Sequence, residues 1–286
     1  MKKNIISFCS CLAVFISLTG CEKNLLNERR VEQYLNPTTT TQVRIIHALS
    51  ANAQNTVTPV TATTAPPALN FFANGVLLNG VSTAAVSRAI GYGGTFPGTA
   101  ILLAGNINSG NLFDYAVIPG GNVRIAGVLN RLTGQTPADT VLASSLELEN
   151  GKRYSVIAGD TIPFQRFFAF EDNFVNPDTA NYTVRFINLA VNLGNGVNGY
   201  DVYSRRRQAT IVSGVTYRNA SPWIEGIFTT NDTLEIRPAG AALTSTPVAA
   251  VNGFAPVRSR VYTFVLRGVP TLAAPRNLAV AGYLNR

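Results

Sequence analysis

The sequence predicts an all-β protein, and three observations support this fold class. Beyond Gln42 the chain consists of short runs rich in Val, Ile, Phe, Tyr and Thr, separated by Asn, Gly and Pro, a pattern typical of β-sandwiches and barrels. Within such runs polar and apolar residues alternate, so that residues 145–149 place two leucines on one face and two glutamates on the other. Apolar residues make up 46% of the 286 residues and charged residues only 13%, which excludes a disordered or coiled-coil protein.

Residues 1–20 are predicted to be a lipoprotein signal peptide. Lys2 and Lys3 precede an apolar run of about 14 residues, which is the length of a signal-peptide core and too short for a membrane span. The run ends in Leu-Thr-Gly-Cys at residues 18–21, which resembles the lipobox of bacterial lipoproteins. This resemblance implies that Cys21 becomes the first residue of the mature chain and carries the acyl chains that anchor it in a membrane.

Residues 21–41 are predicted to be a tether between the lipid and the folded part. They mix both signs of charge and end in Pro37 and a run of threonines, although a short helix over residues 25–34, lying on the lipid headgroups, is an alternative. Glu22 beside the cysteine resembles, in a weak form, the acidic signals that send lipoproteins of the Bacteroidetes to the cell surface. We therefore expect an outer-membrane or cell-surface location, with the periplasmic face still open.

The rest of the chain contains an internal repeat. Four pairs of segments match in order: 43–49 with 184–190, 69–72 with 200–203, 122–125 with 233–236, and 152–157 with 260–265. The sequence therefore predicts two tandem β-domains, residues 42–171 and residues 181–286. Residues 172–180 connect them, and their polar side chains and Pro177 are typical of a surface linker.

The same segments carry a family resemblance. Residues 43–48, the Ala-Asn-Gly that ends the next strand at 73–75, residues 115–121 and residues 148–156 together resemble the DUF4397 family of exported bacterial proteins. The resemblance implies tandem immunoglobulin-like sandwiches and no established biochemical activity. A Thr-, Ala- and Pro-rich insertion at 52–67 replaces the family's usual Ser-Pro-Asp-Ala-Pro loop, so no role tied to that loop is carried over.

The supply of reactive side chains argues against an enzyme. All three cysteines lie in the first 21 residues and the chain has one histidine, which excludes a disulfide scaffold, a zinc cluster, a c-type haem site and a Cys/His nucleophile pair. His47 ends a predicted strand and matches Asn188 in the second repeat, so we expect it to have a structural hydrogen-bonding role. No catalytic residue, metal or cofactor is therefore expected.

Two carboxylate groupings are weaker alternatives. Glu147 and Glu149 lie on one face of one strand, whereas glycoside hydrolysis needs carboxyls that face each other across a cleft. Four acidic residues near the domain junction offer oxygen ligands for calcium, but they lack the spacing of an EF-hand loop. These four are Asp160, Glu171, Asp172 and Asp178.

One basic cluster favours a binding function. Arg205, Arg206 and Arg207 follow Tyr203 in a chain with a net charge of +8, and arginine forms bidentate contacts with carboxylate and phosphate groups. We therefore predict that these four residues bind an anionic glycan or lipopolysaccharide phosphate. The alternative is a solvated hairpin tip, because residues 201–208 have the pattern of a strand followed by a turn. Nucleic acid is a poor candidate, since no aromatic-basic recognition motif is present.

Four Asp-Thr-apolar triplets form a further pattern. They resemble the O-glycosylation acceptor motif of exported Bacteroidetes proteins, and the alternative is that Asp ends a turn and Thr begins a strand. The candidate acceptors are Thr140, Thr161, Thr179 and Thr233.

Together these features predict a non-enzymatic, lipid-anchored protein of the bacterial envelope that acts as a binding, adhesion or structural module. Its expected partners are the membrane, through the N-terminal lipid, and anionic glycans or other envelope proteins. An accessory subunit of an outer-membrane glycan-uptake complex is an alternative. A hydrolase with a site between the two domains is a further one.

Overall fold

Every regular element that the computed structural model describes is a β-strand. The described residues are 38–50, 68–79, 89–97, 102–103, 106–107, 115–129, 140–160, 165–190, 198–227, 231–270 and 277–285. Among them, no helix is long and apolar enough to cross a membrane. The strands are β1 (Thr40–His47), β2 (Leu69–Ala73), β3 (Val76–Leu77), β4 (Thr95–Phe96), β5 (Leu102–Leu103), β6 (Asn106–Ile107), β7 (Ala116–Pro119), β8 (Gly121–Leu129), β9 (Thr140–Leu148), β10 (Arg153–Gly159), β11 (Arg166–Glu171), β12 (Asn181–Ala190), β13 (Tyr200–Ser204), β14 (Ala209–Val215), β15 (Asn219–Ala220), β16 (Ile224–Ile227), β17 (Asp232–Pro238), β18 (Ala249–Phe254), β19 (Val261–Gly268) and β20 (Ala279–Leu284).

The first sandwich consists of two sheets. One has the order β11-β10-β1-β4, with β7 also paired to β1, and the other has the order β3-β2-β8-β9. Alternation decides which side chains fill the core, because Val123 and Ile125 on β8 are fully buried while Asn122 and Arg124 are exposed. β1 begins at Thr40, so the last two residues of the predicted tether belong to the first sandwich.

The second sandwich has the same strand order as the first. Its sheets have the orders β15-β12-β19-β20, with β16 on β12, and β14-β13-β17-β18. The parallel pair β1–β10 in the first sandwich corresponds to the parallel pair β12–β19 in the second. The all-β class and the grouping of the sheets into two sandwiches are therefore confirmed.

One predicted correspondence between the repeats is wrong by two residues. Ala73 pairs with Ile125 in the first sandwich, and the matching Ser204 pairs with Leu234 in the second. Ile125 is therefore equivalent to Leu234, whereas the sequence comparison matched it to Ile236. A shift of two residues leaves every side chain on the same face of its strand, so the burial pattern cannot reveal it.

The two sandwiches pack face to face, which gives four layers of sheet. One sheet of the first sandwich, built around β1 and β10, lies against the sheet of the second that contains β12 and β19. The shared apolar cluster is made of Ile46, Ala48, Ile157, Ile187, Leu189, Val265, Ala281 and Tyr283. Because these strands are covered on both faces, β12 and β19 are almost continuously buried and lack the alternation of a half-exposed strand.

The β5–β6 hairpin, which belongs to the first half of the chain, extends a sheet of the second sandwich. β5 pairs with β20 through Leu102 and Gly282, and β6 pairs with β5. This backbone pairing is a second connection between the halves, in addition to the packed faces.

Two equivalent arginines cross the interface in opposite directions. Arg44 donates to the carbonyl oxygen of Leu284 in the second sandwich at 2.5 Å. Arg185 donates to the carbonyl oxygen of Glu171 in the first sandwich at 2.9 Å. Both arginines are 2% exposed, so each buried guanidinium joins the two sandwiches through a backbone acceptor.

The segment predicted as a surface linker begins inside this interface. Asp172 is 2% exposed and forms an ion pair with Arg185. It also accepts hydrogen bonds from the Tyr115 hydroxyl at 2.6 Å and from the Ser155 hydroxyl at 2.8 Å. Burial raises the pKa of the Tyr115 phenol and lowers that of Arg185, and Asp172 opposes the second shift. The polar side chain that suggested a solvated linker is therefore a buried acceptor.

Replacing this carboxylate is expected to destabilise the whole chain. Asp172→Ala removes the charged partner of the buried Arg185 and the acceptor of the Tyr115 and Ser155 hydroxyls, so the free energy of unfolding, measured with urea, should fall by about 3–5 kcal/mol. Lys152→Ala is the matched control, because Lys152 pairs with Glu149 and Glu171 at the surface and such pairs contribute little to stability. Equal losses in the two variants would contradict this account of the interface.

Candidate anion-binding groove

The predicted arginine cluster lies on the turn between β13 and β14, at one end of the outer sheet of the second sandwich. In the first sandwich the equivalent turn is Asn74-Gly75, and both of its residues have positive φ, 48° and 81°, as a tight two-residue hairpin requires. In the second sandwich a longer turn, residues 205–208, takes its place. The arginines therefore sit where one repeat has lengthened a hairpin.

Asp232 holds this turn in place. Its carboxylate accepts hydrogen bonds from the Ser204 hydroxyl at 2.5 Å, from the Arg206 backbone N–H at 3.0 Å and from the Thr233 N–H at 2.7 Å. The Ser204 hydroxyl oxygen in turn accepts a hydrogen bond from the Arg207 N–H at 3.1 Å. Asp232 is 4% exposed, so its charge is directed into the turn and fixes the backbone that carries the arginines.

An open groove of about 290 Å³ lies beside the turn. Its lining residues are Arg205, Arg206, Asn231, Asp232, Thr233 and Gly253. Two of the four residues predicted to bind a ligand, Arg205 and Arg206, are in this lining. Arg207 and Tyr203 are not.

A buried carboxylate next to the groove balances part of the arginine charge. Glu235, whose side chain is 3% exposed, receives hydrogen bonds from Arg205 Nε and from Arg237 Nη2, both at 2.5 Å. Tyr203 packs with its ring under Arg237, 5.8 Å from the guanidinium carbon. The Arg205 side chain is 67% exposed, so its guanidinium faces solvent while its Nε donates a hydrogen bond to the buried Glu235.

Sequence reasoning missed the residues that shape the groove. Asp232 was singled out only as the start of an Asp-Thr triplet, and neither Asn231 nor Gly253 carried a signal of its own. Both have positive φ, 24° and 63°, and Asn and Gly are the residues that tolerate such a conformation. The sequence signals available were the position of Asn231 directly before a strand and that of Gly253 inside a strand.

The candidate glycosylation sites differ in accessibility. Thr140 and Thr179 are exposed, Thr233 is half-buried in the groove lining, and Thr161 lies outside the described residues. Asp178 accepts hydrogen bonds from the N–H groups of Ala180 and Asn181 at 2.7 and 2.9 Å. Thr140 begins β9, as the alternative interpretation proposed. Thr179 instead lies within a turn before β12, and Asp232 is itself the first residue of β17, so these two triplets do not have the proposed turn-then-strand arrangement. Thr140 and Thr179 are the exposed candidates.

Cys21 and the signal peptide also lie outside the described residues, as does the tether up to residue 37.

His47 has the structural role that the repeat predicted. Its Nδ1 accepts a hydrogen bond from the Leu49 N–H at 3.4 Å, and the equivalent Asn188 Oδ1 accepts one from the Ala190 N–H at 3.0 Å. The His47 ring is fully buried and lies edge-on to Phe71. At equivalent positions near the end of a strand, both side chains therefore accept a hydrogen bond from the N–H group two residues further along the chain.

The acidic residues near the junction have separate partners. Asp160 pairs with Arg218 and accepts a hydrogen bond from the Tyr217 hydroxyl, and Glu171 pairs with Lys152. As described above, Asp172 faces Arg185 and Asp178 caps the start of β12. Within the part of the chain that the structure describes, no group of three or more His, Cys, Asp or Glu residues could hold a metal ion.

The fold and the groove define a class of protein, namely an all-β module of two packed sandwiches with a basic groove on an outer sheet. A family model for the DUF4397 domain, a domain of unknown function, matches residues 41–195. This match covers more than half of the chain, so the protein belongs to the DUF4397 family.

No curated protein matches the chain. Among solved structures, the Bacillus anthracis TIE protein is similar over 80% of this chain, with 7% sequence identity and a TM-score of 0.21. The chain spans only 34% of the length of that protein.

The ion pairs of Glu235 should make stability depend on pH. Although burial opposes ionisation, hydrogen bonds from Arg237 and Arg205 lower the pKa of Glu235 below its ordinary value of 4.5. The ionised carboxylate therefore stabilises the fold fully above about pH 5, and this contribution disappears as the pH falls through the lowered folded-state pKa. We expect the stability difference between the native chain and Glu235→Gln, from urea unfolding, to be largest near neutral pH and to shrink below pH 4.5. A stability difference between the two proteins that stays constant with pH would contradict the lowered pKa of Glu235.

Proposed function

We propose that this protein is a non-enzymatic binding module of the bacterial envelope, and that the groove beside Arg205 and Arg206 binds the anionic groups of a glycan. The observation that carries the proposal is the groove itself, where two arginines and an amide side chain converge beside a turn that Asp232 holds in place. Guanidinium groups form paired hydrogen bonds to oxyanions, and these are stronger than hydrogen bonds between neutral groups.

The setting of the groove favours a ligand outside the molecule. The inner sheets are covered by each other and by the two cores, whereas the groove lies at the outer edge of the second sandwich and is open to solvent. Its frame consists of strands and of a turn, and the Asp232 carboxylate accepts one hydrogen bond from each of β13, the turn and β17. A site framed in this way loses little conformational freedom on binding, which favours affinity.

Removing the arginines should weaken binding, and thermal unfolding checks that the variant, which loses the Arg205–Glu235 ion pair, is still folded. We expect the triple variant Arg205→Ser, Arg206→Ser and Arg207→Ser to bind an anionic polysaccharide such as dextran sulfate at least about tenfold more weakly, since each charged hydrogen bond contributes roughly 1.5–3 kcal/mol. The measurement is a titration at fixed ionic strength, because such binding depends on salt.

Arg124→Ser is the matched control for this experiment. Arg124 is an exposed arginine on the outer sheet of the first sandwich, so the variant removes a surface charge away from the groove. Unchanged binding in the triple variant, or an equal loss per charge in the control, would show that the groove is not the site.

We further propose that Cys21 carries the lipid that holds the module at the outer membrane or cell surface, with the residues from Cys21 to the start of β1 at Thr40 acting as the tether. The lipobox-like segment at 18–21 and the short apolar run before it support this proposal. Exposed Thr140 and Thr179 are the favoured positions for attached sugars. An accessory role in an outer-membrane glycan-uptake complex is compatible with the same groove and anchor, with another envelope protein as the partner.

Protease shaving of intact native cells, followed by mass spectrometry of the membrane fraction, tests the proposed lipid anchor and cellular location. We expect the full-length chain to disappear and an acylated peptide starting at Cys21 to remain, and the intact mass from unshaved cells reports any sugars. A protected full-length chain would place the module on the periplasmic side, and an unacylated Cys21 would contradict the anchor.

A further inference from the structure

We infer that the groove accepts one compact, singly charged oxyanion, a sulfate ester or a carboxylate carried on a sugar, and that Asp232 is the residue that positions the arginines for it. This inference rests on the proposed function, because it specifies the ligand and the internal organisation of the same groove. Asp232, although negatively charged, would therefore favour the binding of an anion by positioning the arginines.

The hydrogen bonds of Asp232 explain why a negative charge belongs in this groove. The three groups that donate to its carboxylate are the Ser204 hydroxyl at the end of β13, the Arg206 N–H in the turn and the Thr233 N–H at the start of β17. Asp232 lines the groove but is only 4% exposed, so it offers little surface to a ligand. Its charge orders the backbone of the turn instead, and with it the direction of the Arg205 and Arg206 side chains.

The balance of charge around the groove favours a single anionic group. The charged residues in its lining are Arg205, Arg206 and Asp232, which together leave one net positive charge. Glu235 and Arg237 are outside the lining and pair with each other, and Glu235 also contacts Arg205. A singly charged oxyanion neutralises this charge, whereas a doubly charged phosphate monoester leaves an excess negative charge beside two carboxylates.

The size of the groove agrees with this limit. Its volume of about 290 Å³ is just below the range for small-molecule sites, roughly 300–1,000 Å³. Asn231 and Thr233 in the lining provide amide and hydroxyl groups that can hydrogen-bond the uncharged hydroxyls of a sugar. The lining therefore suits one charged sugar unit.

The first experiment titrates the full mature chain with four monosaccharides, followed by isotope-edited NMR. Glucose 6-sulfate and glucuronate are the expected ligands, glucose 6-phosphate is the doubly charged comparison, and glucose is the uncharged control. We expect shifts around Arg205 and Arg206 with the first two probes, and weaker binding of the phosphate at pH 8. Equal or tighter binding of the phosphate would overturn the proposed ligand class.

The second experiment separates positioning from charge. Asp232→Ala makes the groove more positive, so a site that works by charge alone would bind glucose 6-sulfate more tightly. Positioning predicts the opposite sign, with affinity about tenfold weaker because the turn loses its acceptor. Asp232→Asn keeps an acceptor oxygen and is expected to bind at least as tightly as the native chain.

Ser204→Ala supplies an independent variant if Asp232→Ala unfolds, which thermal unfolding would reveal. It leaves every charge in place and removes the hydroxyl that connects Asp232 to the Arg207 N–H, so weaker binding is again expected. Native-like binding in folded Asp232→Ala or in Ser204→Ala, while the triple arginine variant loses binding, would overturn the positioning role alone. Failure of the native chain to bind any of the charged probes would overturn both the inference and the proposed function.

Discussion

The structure depends on the burial of two arginines between two sheets. A guanidinium has five N–H donors and no acceptor, so placing one at the centre of a four-layer protein is favourable only if acceptors meet it there. Arg44 and Arg185 find those acceptors on the last strand of the opposite sandwich. Each sandwich therefore supplies a backbone acceptor to the buried arginine of the other, while the Nε of both arginines has no hydrogen-bond partner among the described residues. Neither inner face is a finished surface by itself.

The two halves of this arrangement are equivalent in position but different in chemistry. Arg44 lies over the ring of Tyr115 at 5.3 Å and Arg185 over Trp223 at 4.3 Å, and the pairing of β7 with β1 and of β16 with β12 places these aromatics at matching positions. Asp172, however, is matched by Asn285, because each follows the last strand of its sandwich. One half thus carries the carboxylate and the other its neutral amide. A single carboxylate near two cations is enough here because the aromatic faces attract the guanidinium groups as well.

Much of the fold could be predicted from the sequence, but the packing of the two sandwiches could not. Alternation and turn residues predicted strands, and the repeated Val-Arg-aliphatic segments at 43 and 184 predicted two copies. An arginine between apolar neighbours suggests a side chain that points to solvent, and only the second sandwich shows that this outward face is covered. The match of 122–125 to 233–236 was wrong by two residues for a related reason. Side chains alternate between the two faces every two residues, so a shift of two residues leaves the pattern of polar and apolar residues unchanged.

The groove follows from what the interface leaves available. Because the inner sheets are buried against each other, a binding site is accommodated more easily on the outer sheets, where a longer turn does not disturb the packing between the sandwiches. The first repeat keeps Asn74-Gly75, a turn with little room for side chains, whereas the second places three arginines at the equivalent point. The sequence located those arginines because they are adjacent, but it could not locate Asp232 or Glu235, which lie about 30 residues further along the chain and reach the turn only through the pairing of β13 with β17. The site is therefore a property of strand register, and its supporting carboxylates could be assigned only once that register was known.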